Sequence, residues 1–180
     1  MTGKVVLAFS GQIGSGKSSL AKAISDEFGF PRISFGGYVR HLVRQSGGDE
    51  SDRKSLQDEG ERQVDNDPSA FLLATLNYHD VDKANSFVVE GLRHTSILNE
   101  MRKFFGTDLI HIHLEAADQI AFVRAVARGD DPKVVERALR HTVEADVAIT
   151  LREAADLVLA ASETLSELTT QVVPLVESRT

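Results

Sequence analysis

Residues 11–19 read "GQIGSGKSS" and follow "VVLAF", residues 5–9, a short uninterrupted apolar run. Such a run is the pattern of a strand buried on both faces. Three glycines, a lysine and three serines then stand where a core would need bulk. Gly11, Gly16, Lys17 and Ser18 fit G-x-x-x-x-G-K-[ST]. Behind them Leu20, Ala21, Ala23, Ile24 and Phe28 recur at the spacing of a one-faced helix over Lys17–Phe28. A glycine-rich turn between strand and helix lets main-chain N–H groups curl round phosphate oxygens with no Cβ in the way. The helix turns its positive end toward the same anion. Lys17, read as a surface cation, bridges β- and γ-phosphates in such a loop, and the Ser18 hydroxyl ligates Mg²⁺. The stretch predicts an ATP–Mg²⁺ site lined by Gly11, Ile13, Gly14, Ser15, Gly16, Lys17, Ser18 and Ser19.

Outward from the loop, strands and helices alternate. Lys4–Ser10 reads as the first strand, and Gly29 and Pro31 stop the first helix. "RISF", residues 32–35, is a short second strand, Tyr38–Gln45 a helix, and "SGGDES" a loop whose Asp49, Glu50 and Asp52 read as solvated. Asp67-Pro68 opens a helix to about Tyr78. Ser86–Glu90 is a third strand, Ser96–Phe105 a helix, and "LIHIHL" a fourth strand. Helices over Asp118–Ala127 and Lys133–Val143 flank "RGDDP", and "DLVLA" is a fifth strand. The last helix, Leu165–Val176, opens with a capping box between Thr164 and Glu167. Five apolar strands alternating with helices predict an α/β fold of three layers, a five-stranded parallel sheet covered on both faces. Without repeats or a linker, residues 1–180 are expected to form one domain.

Composition narrows the partners. The chain has no cysteine, which excludes disulfides and thiolate metal sites. A net charge of −7 argues against a nucleic-acid backbone as partner, though a mononucleotide needs only a local patch. No apolar run approaches the roughly 20 residues that span a bilayer. The first apolar run ends in glycines and a lysine, unlike a cleavage region. A cytoplasmic protein with no membrane or nucleic-acid partner is expected.

A phosphate loop alone suits a kinase, a switch GTPase, a motor or a silent binder. "FVVEGLR", residues 87–93, places Glu90 where the sheet opens beside the loop, positioned to hold Mg²⁺ or its water, and Arg93 on the same edge. No N-K-x-D-type guanine motif is present.

"GQIGSGKSSLAKAI", "ISFGGYVRHL", "VVEGLR", an arginine-rich helix pair and "ADLVLAASETLSEL" together resemble the P-loop nucleoside monophosphate kinase group, which includes adenylate-kinase-like enzymes and dephospho-CoA kinase. The resemblance implies a P-loop kinase fold with an acceptor-binding insertion over about 36–80 and a short lid over about 128–137. It implies that Arg40 and Arg93 hold the acceptor phosphate, and that Arg128, with Arg137 or Arg140, closes over the transferring group beside the catalytic Lys17. The chain departs from the group at Gly37, at Glu90 and after the fifth strand, where an aspartate, an aspartate and an asparagine are usual. A hydroxyl acceptor needs a carboxylate to take its proton, whereas a monophosphate oxygen is already ionised. A (deoxy)nucleoside monophosphate acceptor is therefore favoured over a dephospho-CoA-like hydroxyl, and a regulatory nucleotide binder is the rival from another class. Residues 56–63, "LQDEGERQ", are similar to a stretch of phage-type deoxynucleoside monophosphate kinases.

Two further signals have plainer readings. His111 and His113 share a strand face, as a metal pair would, but no third ligand stands out and side chains at the sheet's edge are the plainer reading. Arg124, Arg128, Arg137 and Arg140 recur at helical spacing, which solvated faces also show. The acidic segment 58–67 is expected to cover the acceptor cleft.

Overall fold

The computed structural model describes residues 3–139 and 147–179. Five parallel strands stand in the order β2-β3-β1-β4-β5, with β1 at Val6–Ser10, β2 at Arg32–Ser34, β3 at Phe87–Leu92, β4 at Leu109–Glu115 and β5 at Leu157–Ala160. Alternation along each strand feeds two cores. Val6, Ala8, Phe87 and Val89 point to one face, where α2 (Phe35–Gln45), α4 (Pro68–Tyr78) and α5 (Thr95–Phe105) cover them. Leu7, Phe9, Val88, Ile110 and Ile112 point to the other, against α1 (Lys17–Phe28) and α8 (Leu165–Glu177). The three-layer α/β expectation holds. Because β1 has β3 on one side and β4 on the other, the chain reverses direction across the sheet at β1, and the crevice at its C-terminal end opens there.

Local chemistry sets the helix ends. Asp67 accepts from Ala70 N at 2.9 Å with Pro68 in the first turn, and the Thr164–Glu167 capping box is formed. Helix α2 begins three residues before the expected Tyr38, because Ser34 Oγ accepts from Gly37 N at 3.1 Å and so caps from within the second-strand motif. The polar sequence after Ser51 forms a helix that periodicity does not announce, α3 at Arg53–Asn66, with Val64 its one buried residue. Its cap is Asp52, which accepts from Ser55 N at 2.9 Å, so this acidic loop is anchored rather than merely solvated. Beside the glycine loop α6 (Asp118–Ala127) and α7 (Pro132–Leu139) pack together, and Ile13 of the loop joins Ala125 and Val135 in a small core of their own. The expected continuation of α7 to Val143 lies outside the described residues. A π-helical turn, Val147–Leu151, leads back to β5. Among the described residues no helix is long and apolar enough to cross a membrane.

Candidate active site

The glycine loop joins β1 to α1 at the crevice. Gly14 has φ 76°, and a Cβ there would lie 2.1 Å from the Ala121 carbonyl oxygen, so α6 presses directly on the loop backbone. Gly16, left-handed at φ 93°, starts α1 without a side-chain cap, which leaves the positive helix end to an anion. Ser15 Oγ is shielded from solvent and has no hydrogen-bond partner among the described residues. Gln12 Nε2 anchors the loop by donating to the Ala116 carbonyl at 2.6 Å and to Asp118 Oδ1 at 3.2 Å. Lys17 is not the surface group its charge suggests: only 9% exposed, it donates to the Gln12 carbonyl at 3.0 Å. Its stem is buried between loop and sheet while its head stays at the cleft. An orphaned hydroxyl, a side-chain-free cradle and a buried cation fit a polyphosphate.

The cleft beside the loop holds about 600 Å³. Ile13, Gly14, Lys17 and Ser18 line its floor. Glu90 and Arg93 enter from the end of β3, next to the loop because Phe9 and Glu90 pair across the strands. Glu90 lies 3.8 Å from Arg32 Nη1, a weak ion pair that a cation would compete with. One hydroxyl and one carboxylate, Ser18 and Glu90, suit Mg²⁺ shared with substrate phosphates rather than a dedicated cage. Among the described residues no three His, Cys, Asp or Glu side chains converge on a metal position.

Arg40 lines the same cleft, so the structure brings both expected acceptor arginines to one place. Among the cleft residues that sequence reasoning does not single out are Arg53 and Gln57 of α3, Asp130, and Glu50, which was expected to be merely solvated. The spacing 53, 57, 60 was the available signal, hidden because the stripe is polar. Of the arginines expected to close, Arg128 is at the cleft, where Nη2 donates to Asp130 Oδ2 at 2.5 Å. Arg124 reaches the loop itself, its Nη1 3.5 Å from the Ser15 carbonyl. Arg137 is exposed on α7 and does not line the cleft, and Arg140 lies outside the described residues. Gly11 sits behind the loop, where a Cβ would meet the Leu114 carbonyl at 2.5 Å, and Ser19 lies on the exposed side of α1.

His111 and His113 are not edge residues. Their strand lies between β1 and β5, and they are 0% and 2% exposed. The His111 Nδ1 is 3.3 Å from the Ala154 carbonyl, which only accepts, so that nitrogen carries the proton. His111 Nε2 therefore accepts from the Ser10 hydroxyl at 2.7 Å, and Ser10 Oγ accepts from His113 Nδ1 at 2.8 Å. Burial pushes both imidazoles down from 6.5 to about 4, so they are neutral, and this buried chain fixes Ser10, the residue before the loop.

A parallel sheet with a glycine-rich phosphate loop at its switch point defines the P-loop kinase fold. The same class emerges from comparison with known proteins. The AAA domain family (AAA_18) matches residues 7–145, and the chain belongs to that family. It is similar to a cytidylate kinase of Methanocella arvoryzae, 33% identical over 107 residues that span 58% of this chain and 57% of that one, little more than half of the relative's length. Its fold is shared with a gluconokinase of Sinorhizobium meliloti, at 16% identity over 99% of this chain and 94% of that one with a TM-score of 0.64. A shikimate kinase of Acinetobacter baumannii is similar over 97% of this chain and 94% of that one, at 18% identity and a TM-score of 0.62.

Proposed function

We propose that this protein is a phosphotransferase that moves the γ-phosphoryl group of ATP to a (deoxy)nucleoside monophosphate. The observation that carries the reading is one cleft lined by two sets of phosphate-binding groups. Lys17 and the loop serve a donor, while Arg40 and Arg93 serve a second phosphate. A silent binder or a switch has no use for the second set.

In this reading an acceptor phosphate oxygen attacks the γ-phosphorus as the bond to the β-phosphate oxygen breaks. The acceptor oxygen is already ionised near neutral pH, so the residues need only position and neutralise. Arg40 and Arg93 orient the acceptor, Lys17 offsets charge on the donor, and Arg124 and Arg128 close from the α6 side. Ser18 and Glu90 would hold Mg²⁺, which would supply charge neutralisation for the transferring phosphoryl group. Residues 36–80 form the acceptor wall and 128–137 a short lid that excludes water. Apolar lining by Val39, Leu56, Phe71 and Ile97 supports a flat base over a polyol. The relative that is a cytidylate kinase agrees with this choice.

A coupled ADP-release screen over ribo- and deoxynucleoside monophosphates, dephospho-CoA, shikimate and gluconate, with no-acceptor controls, tests it. Turnover with a monophosphate well above the control is expected. Turnover confined to a hydroxyl acceptor, or equal rates with and without acceptor, would overturn it.

A further inference from the structure

Helix α3 turns Arg53, Leu56, Gln57 and Gly60 onto the cleft. Within that stripe Gln57 Nε2 is shielded from solvent and makes no hydrogen bond to the described residues. Native proteins satisfy nearly all shielded polar groups, and those left over at a cleft point to a ligand atom. The surroundings restrict which ligand. Val39 and Phe71 are 6% and 4% exposed, and with Leu56 and Ile97 they make the same stretch of wall apolar. Gly60, one turn beyond Gln57, adds no side chain to that wall. A polyol would turn some of its hydroxyls onto these carbons and lose their hydration. A nucleobase is apolar on both faces and polar only along its edge.

A glutamine amide presents one donor and one acceptor side by side. Resting on the proposed monophosphate-kinase reading, we infer that Gln57 is the specificity-determining residue for the acceptor base. Its amide pairs with a base edge that offers an adjacent donor and acceptor, as the N4 amine and N3 of cytosine do. The base face lies against Val39 and Phe71, and the phosphate goes to Arg40 and Arg93. Base identity is thus read from α3, a helix whose register toward the cleft rests on the Asp52 cap.

The test uses the full chain with Gln57→Leu and Gln57→Glu, each checked for a native-like melting curve. Steady-state kinetics with the four common nucleoside monophosphates are paired with calorimetry for ATP and for deoxyribose 5-phosphate, an acceptor without a base. Gln57→Leu should lower kcat/KM for the preferred monophosphate roughly 10- to 100-fold, the scale of one two-pronged base contact. Affinity for ATP and for the abasic phosphate should stay at the parent value. Gln57→Glu, which offers two acceptors, should shift preference toward guanine, whose edge presents two donors. Parent kinetics in both variants, or an equal loss for the abasic phosphate, would overturn the inference while leaving the kinase reading intact. A parent protein that uses no monophosphate would overturn both.

Discussion

The Lys17 ammonium donates to the carbonyl oxygen of Gln12, five residues back in its own loop, at 3.0 Å. The loop thus holds its principal cation preorganised, so no reorganisation is needed when phosphate arrives. Lys17→Met keeps most of the buried stem but removes the charge. Turnover should fall roughly 100- to 1,000-fold, the scale seen when one preorganised donor is lost. Melting should move by only a few degrees, because the lost hydrogen bond is worth about 1 kcal/mol. Parent-like turnover in folded material would remove Lys17 from the reaction.

Among the described residues the ion-pair partner of Glu90 is Arg32, at a loose 3.8 Å. Glu90→Gln preserves shape and removes charge, so the Mg²⁺ concentration for half-maximal rate should rise while the fold persists. Superimposable Mg²⁺ titrations of mutant and parent would assign Glu90 to the strand end alone.

Arg40 belongs to α2 and Arg93 follows β3, and both line the cleft that the loop opens into. Changing either to alanine should raise the acceptor KM or lower turnover about ten- to a hundred-fold, from roughly 1.5–3 kcal/mol for a charge-assisted contact. ATP affinity should change little, and lysine should rescue in part because it lacks the planar fork. Loss of ATP affinity instead would move these arginines to the donor side.

The α6 arginines are separable. Arg124 touches the Ser15 carbonyl, and Arg128 is bonded to Asp130 at the cleft, while Arg137 lines neither. Arg124→Ala and Arg128→Ala should each lower kcat, and Arg137→Ala should match the parent. A kcat loss confined to Arg137→Ala would place the closing group on α7.

Stability should depend on pH through the buried imidazoles. Both are held near 4 in the fold, against 6.5 in an unfolded chain. Between those values the unfolded state binds more protons, so stability is complete above about 6.5 and declines as pH falls toward 4. Protonation of each imidazole in the unfolded chain accounts for a loss of up to about 3 kcal/mol over that window, at 1.36 kcal/mol per unit, with the two sharing Ser10 and not adding in full. Urea melts at intervals from pH 4 to 7 would show this slope, and Ser10→Ala should lower the plateau. A flat profile would mean that the imidazoles are not buried neutral.

Sequence alone determined whatever is written in contiguous residues. The apolar run at 5–9, the glycines of the loop and the Thr164–Glu167 box each specify their local conformation through sterics or a hydrogen bond three residues away. The parallel sheet followed from strands too apolar to face water on either side. Tertiary structure decided the rest, because its causes lie between residues distant in the chain. Lys17 is buried although its charge suggests a surface position, and its ammonium turns back onto the Gln12 carbonyl of its own loop. His111 and His113 share Ser10, some hundred residues earlier, only because β4 lies beside β1. Gln57 faces the cleft because Asp52 starts α3 where it does and Val64 turns that helix inward. Its polar stripe carries no hydrophobic periodicity, and so its direction is set by packing rather than by pattern.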